Sequence, residues 1–164
     1  MLVADTSALV MLAVADSLDL VLAEFDVHTT ATVVDELRET ADYEDENAAG
    51  AAAVLDERER LGVHEVDEPL HISARVDEGE ASCAALADSL DADFLLTDDL
   101  RALLELQALV DAQVAISPIV LRALVIRGEL TLVTAPARVD DIAETRDWLG
   151  TPLYRRARGL FEEG

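Results

Sequence analysis

The sequence has no lysine, one cysteine and six aromatic residues among 164 positions. A lone cysteine, Cys83, excludes a disulfide framework and a Cys-based zinc centre. No apolar run approaches the ~18 residues needed to cross a bilayer. The opening MLVADTSALV has no positively charged leader and carries an acid at Asp5, so it does not read as a secretory signal. A cytoplasmic protein with no membrane partner is expected. No glycine-rich phosphate loop is present, Ser7 lacks a GxSxG setting, and Asp5-Thr6-Ser7 is not the DxD pair of aspartyl-phosphate phosphatases. His28, His64 and His71 have no ligand-type spacing and read as structural or surface groups.

What is abundant is carboxylate. The chain holds 35 Asp and Glu against 12 Arg, for a net charge of −23. Yet 51% of it is apolar, which separates it from disordered acidic chains. Its length suits one domain with a core. The acids are spread along the whole chain rather than gathered in a tail. That distribution, with lysine absent, fits the hydrated surface of a protein in a high-salt cytoplasm better than a docking patch for a cationic partner. At molar salt the Debye length is ~3 Å, so such a surface does not bar a nucleic acid from a local site.

Short apolar runs alternate with helical spacings. Leu2-Val3-Ala4 reads as a strand that stops at Asp5-Thr6-Ser7, with Thr6 or Ser7 capping a helix that carries Leu9, Val10 and Leu12. Ser17 to Glu24 reads as a short helix and Phe25 to Thr29 as a strand. Helices are expected over Thr30 to Thr40 and Asn47 to Arg60, the second ended by Gly62. Val63 to Val66 reads as a strand and Asp67 to Val76, with Pro69, as a loop. Glu78 to Leu90 is the strongest helix. Asp93 to Leu96 is a buried strand ending in Thr97-Asp98-Asp99, and a helix resumes at Leu100. Gln113 to Ile116 is a strand, and Ser117-Pro118 opens a helix with Ser117 as cap, closed at Gly128. A linker at Thr134 to Ala137 precedes two helices, Val139 to Leu149 and Pro152 to Glu162. This alternation argues for an α/β fold with a parallel sheet.

In such sheets ligands bind beyond the carboxyl ends of the strands. Two strands end in acids there: Asp5 after the first, and Asp98 or Asp99 after the fourth. Glu36 lies on a helix, in VVDEL. Glu80 lies in the first turn of the best helix, where a carboxylate complements the helix end, and Gly79 beside it permits a close approach. Carboxylates gathered at one place stay ionised only with a cation, and hard oxygen donors select Mg²⁺ or Mn²⁺. Such a metal site can hydrolyse phosphodiesters. Asp35, Glu39, Asp77 and Glu78 read as solvated surface. Cys83, among Ala81, Ala84 and Ala85, reads as a small buried side chain.

The acids in order, Asp5, Glu36, Glu80 and Asp98-Asp99, resemble the PIN-domain family. VADTSAL is similar to its strand-ending first acid with a following Ser or Thr, and VVDELRE to its second acidic helix. DEGEASCAALA is similar to the third-acid motif of prokaryotic, toxin-like (VapC-like) members, and ADFLLTDDLRA to the fourth. The match covers roughly residues 1–120. The resemblance implies a three-layer α/β/α sandwich with a central parallel sheet, a Mg²⁺- or Mn²⁺-dependent ribonuclease activity, and a frequent homodimer, some members being toxins paired with a small antitoxin protein. Residues 1–130 are expected to form the nuclease domain and 131–164 a C-terminal helical extension packed on it. Asp5, Glu80 and Asp98 or Asp99 are expected to hold metal. Glu36 is expected as a further ligand or water-orienting group. Thr6, Ser7, Thr97, Arg155 and Arg156 are candidates to contact the RNA substrate. The competing reading is a catalytically silent PIN-like module that docks nucleic acid or protein.

Overall fold

The computed structural model describes residues 1–67 and 72–162, so the expectations for Pro69 and His71 lie outside the described residues. Five short strands form one sheet: β1 (Leu2–Ala4), β2 (Val27–Thr30), β3 (Gly62–His64), β4 (Phe94–Leu96) and β5 (Gln113–Ala115). Every pairing is parallel, in the order β3-β2-β1-β4-β5. Between the strands run α1 (Thr6–Val14), α2 (Leu18–Glu24), α3 (Ala31–Ala41), α4 (Glu46–Asp56), α5 (Glu78–Leu90), α6 (Leu100–Leu109) and, after β5, α7 (Ser117–Ile126), α8 (Ala135–Thr145) and α9 (Pro152–Gly159). The expected three-layer α/β/α sandwich is what forms. Among the described residues no single helix is long and apolar enough to cross a membrane.

The strands are short apolar runs because helices cover the sheet; Leu2, Val3, Ala4, Leu95 and Leu96 are all buried. Helix α5 packs on β1, β2 and β4, while α1 packs on α4, α7 and α8. Buried Leu9, Leu12, Leu121, Leu124 and Ile142 join these helices into one core with the strands, each such side chain contributing about 1.5–3 kcal/mol. The α1–α4 contact is close enough to need glycine. A methyl at Gly50 would lie 3.0 Å from both the Val10 carbonyl oxygen and Cγ1.

Four local expectations are corrected. The cap of α1 is Asp5 rather than Thr6 or Ser7, because its extended backbone lets Oδ1 accept from the Ala8 amide at 3.0 Å. Ser117 does not cap α7; it is the first helical residue, and its hydroxyl is taken by Asp98. The stretch proposed as a linker at Thr134 to Ala137 opens α8, since Pro136 fits the first helical turn. Gly62 belongs to β3 rather than ending a helix, α4 having stopped at Asp56 with a single 3₁₀ turn at Arg58–Arg60. The histidines at this edge behave as expected of structural groups: His28 Nδ1 and His64 Nε2 share a hydrogen bond of 2.8 Å between β2 and β3.

The chain order reverses between β1 and β4, which are adjacent in the sheet but far apart in sequence. The ladder runs to the last residue of each strand, with the Asp5 amide donating to the Leu96 carbonyl at 3.1 Å and the Thr97 amide to Ala115 at 3.0 Å. Asp5 and Thr97-Asp98-Asp99 therefore leave the sheet side by side, at the switch point.

Candidate active site

A cavity of about 420 Å³ opens at that point. Asp5, Thr6 and Ser7 reach it from the start of α1, Glu36 from α3, Asp77 and Glu80 from the start of α5, and Asp99 from the turn after β4. The structure thus brings together four of the five acids singled out above.

Asp5 is 2% exposed. Its Oδ1 accepts from the Ala8 amide and from the Ser7 hydroxyl at 2.8 Å, which is its duty as a helix cap. Its Oδ2 is buried and has no hydrogen-bond partner. Burial raises its pKa to about 6 against the hydrogen bonds from Thr97, Ala8 and Ser7, which pull it down. A carboxylate oxygen in that state is costly unless something positive meets it.

Glu36 reaches the cavity because α5 begins with a glycine. A methyl at Gly79 would lie 2.1 Å from Glu36 Oε1, so any larger residue there would push the carboxylate out. The other oxygen, Oε2, accepts from the Thr6 hydroxyl at 2.5 Å. Burial, with Asp77 and Asp5 nearby, raises this acid to about 7 even though the Thr6 bond opposes the shift.

Glu80 is fixed by a capping box. The Asp77 side chain accepts from the Glu80 amide at 2.9 Å, and Glu80 Oε2 accepts from the Asp77 amide at 3.2 Å. Burial and a side-chain hydrogen bond with Asp99 push Glu80 well up. Burial acts on Asp99 in the same direction, but that bond from Glu80 and those from Arg101 outweigh it and hold Asp99 below the usual range. Asp99 also caps α6 through the Arg101 amide at 3.0 Å.

Asp98 goes elsewhere. It is fully buried, with Oδ1 accepting from the Ser117 amide at 2.7 Å and Oδ2 from the Ser117 hydroxyl at 2.6 Å. It does not line the cavity. Burial raises it to about 7, against those two bonds. Ser7 links the two strand ends, since its oxygen accepts from the Asp98 amide at 2.9 Å while its proton goes to Asp5. Thr97 lies buried beneath, 3.4 Å from the Ser7 hydroxyl and accepting from the Asp99 amide at 3.2 Å.

Arg155 and Arg156 do not reach the cavity. Both are exposed on α9, and Arg155 donates to the Gly150 carbonyl at 3.3 Å. The arginine that does line it is Arg146, at the end of α8. One of its terminal nitrogens donates to the Asp98 carbonyl at 3.0 Å, and its buried Nε has no partner. The sequence carried a signal for it: buried Ile142 and Ala143 precede it by four and three positions, on the same helix face. Asp77, read as surface, is exposed yet lines the cavity, and Tyr43, Asp45 and Asn47 do so unannounced. Cys83 is buried, its thiol aimed at the Ala4 carbonyl at 3.7 Å and pushed well up by burial.

The donor set fits a hard divalent cation. It is all oxygen, it includes an unpartnered buried Asp5 oxygen, and burial with neighbouring acids raises Asp5, Glu36 and Glu80. Among the described residues no three acidic, His or Cys side chains already stand as a finished metal cage.

The comparisons with known proteins bear on the whole chain. Residues 1–163 match a family model, DUF3368, described as a PIN domain. No curated protein and no solved structure matches.

Proposed function

The chain belongs to the PIN-domain family, and from that premise we propose that it hydrolyses RNA phosphodiester bonds in the cytoplasm as a Mg²⁺- or Mn²⁺-dependent endoribonuclease. PIN domains are typically nucleases acting on nucleic acid with divalent metal ions. The observation that supports the activity in this chain is that Asp5, whose Oδ2 is buried and unpartnered, lines one cavity with Glu80, Asp99 and Glu36 at the sheet's switch point.

In this reading Asp5, Glu80 and Asp99 hold the cation, with Glu36 as a further ligand or as the group that orients water. A divalent ion there neutralises the acids, polarises the phosphodiester, and favours both water attack and departure of the leaving oxygen. The remaining work falls to the chain. Ser7 keeps Asp5 in one rotamer by occupying Oδ1, which leaves Oδ2 without a partner in the protein. Thr6 holds Glu36 in place by donating its hydroxyl to Oε2. Asp98 positions rather than ligates: it pins the start of α7 to the turn that presents Asp99.

The test is cleavage of total RNA with Mg²⁺ or Mn²⁺ by wild type and by Asp5→Asn, alongside calorimetric Mn²⁺ binding. Cleavage that needs the ion and disappears with Asp5→Asn is expected. No cleavage with either ion, together with unchanged metal binding in Asp5→Asn, overturns the reading and leaves a silent PIN-like module.

A further inference from the structure

Around an acidic cavity, the residues that are not acidic carry information. Three of them are unusual for this chain. Tyr43, in the turn between α3 and α4, is 71% exposed, and it is the only exposed aromatic residue. The other five, Phe25, Phe94, Trp148, Tyr154 and Phe161, are buried or half-buried. Asn47, in the first turn of α4, is the only asparagine in the sequence, and among the described residues its side chain makes no hydrogen bond. Arg146 is the only cation lining the cavity among the described residues, with an unpartnered Nε. The segments bearing these groups are tied together, since the Thr145 hydroxyl donates to Glu46 Oε2 at 3.1 Å and so joins the end of α8 to the start of α4.

Each has a chemistry that the acids lack. An ionised carboxylate only accepts hydrogen bonds, whereas an amide both donates and accepts, which is what reading the edge of a nucleobase requires. An exposed phenol ring offers a flat face on which an unstacked base can lie. A guanidinium offers paired donors to a phosphate in a wall that otherwise repels one. A cavity of about 420 Å³ accommodates one nucleotide unit.

Resting on the ribonuclease reading, we propose that Tyr43, Asn47 and Arg146 form a nucleotide subsite beside the acids: Tyr43 stacks one base of the RNA strand, Asn47 reads its edge, and Arg146 holds the phosphate attached to it. The subsite makes this nuclease selective for the base at one position next to the cut. Arg155 and Arg156 have no part in it.

The test is equilibrium binding, by fluorescence anisotropy in Mg²⁺, of labelled five-residue oligoribonucleotides of A, C, G and U and of an abasic ribose-phosphate pentamer. Wild type is expected to bind its favoured base at least about fivefold more tightly than the abasic strand. Tyr43→Ala removes that advantage and Tyr43→Phe keeps it. Asn47→Ala flattens the ranking among the four bases and leaves the abasic strand unchanged. Arg146→Ala weakens all five strands alike. Thermal melts of the Tyr43 and Asn47 variants match wild type. A wild type that binds all five strands equally, or none, overturns the subsite, and so do Tyr43→Ala and Asn47→Ala variants that bind as wild type does. Electrophoresis of the same samples separates this from the nuclease reading. Base-dependent binding without cleavage sinks the nuclease and keeps the subsite, while cleavage with no base dependence sinks only the subsite.

Discussion

At the end of β1 one aspartate does two jobs; at the end of β4 the jobs are divided between neighbours. Asp5 caps its helix with Oδ1, leaves Oδ2 unpartnered, and lines the cavity. After β4, Asp98 is the buried anchor and Asp99 the cap that faces the cavity. Anchoring and cavity-facing chemistry are thus fused at one strand end and separable at the other. A substitution at Asp5 disturbs both roles, whereas Asp98 and Asp99 can be probed one role at a time.

The strongest way to sharpen that contrast is the fused residue. Asp5→Asn keeps an oxygen able to cap α1 but removes the charge. RNA cleavage is expected to fall on the order of 100-fold or more, with the metal-free fold at least as stable as wild type by urea titration. A large loss of stability would show that Asp5 is anchor first. The divided pair comes next. Asp98→Ala strands the Ser117 amide and hydroxyl and is expected to cost about 2–4 kcal/mol of stability in the same titration. Asp99→Ala is expected to cost only about 1 kcal/mol, through its lost cap, while abolishing most cleavage. If the two variants behave alike, the division of labour is wrong.

Smaller effects follow. Gly79→Ala forces the Glu36 carboxylate aside and is expected to cost about 1–3 kcal/mol, with weaker Mn²⁺ binding by calorimetry. Last is pH. Burial raises Asp5 to about 6 and Asp98 and Glu36 to about 7, with Glu80 pushed higher still, all above the ordinary 3.8 for Asp and 4.5 for Glu. Between those values the folded chain binds more protons than the unfolded one. The metal-free protein is therefore expected to gain stability as pH falls from 7 toward 4, and to lose it as pH rises through 6 and 7. Each proton contributes a slope of up to about 1.4 kcal/mol per pH unit. Denaturant melts across that range check it, and Asp98→Asn should flatten the upper part of the curve while Asp5→Asn flattens the lower.

Much of the fold could be read in advance because the signals were local. Apolar triplets such as Leu2–Ala4 and Phe94–Leu96 can be strands in a covered sheet and little else, and Glu78 to Leu90 has both a cap and a period. Asp5 was legible for the same reason, as an acid ending a buried strand. The Asp98-Asp99 choice was not. Successive side chains in extended backbone point to opposite sides, so one of the pair had to turn inward, and only the packing of Ser117 against the turn decides which. Asp5 as cap was missed because Thr6 and Ser7 have equal capping chemistry, and the backbone conformation at position 5 settles it. Arg146 lies 48 positions beyond Asp98; its spacing from Ile142 and Ala143 puts it on the inner face of α8, but nothing local says which strand end that face meets. The triple arginine run at 155–158 was the louder signal, and it faces solvent or Asp140 instead.

Four of the links that align the cavity share one property. Ser7 to Asp5, Thr6 to Glu36, Ser117 to Asp98 and the Asp77–Glu80 box all use hydroxyl or backbone N–H donors, none of them charged. Mobile ions screen charge against charge on the exposed surface, but they have little hold on a short buried bond from a neutral donor. The acids of the outer surface can therefore be exchanged residue by residue while the alignment of the centre stays the same. Surface charge and cavity geometry are, in this fold, independently adjustable.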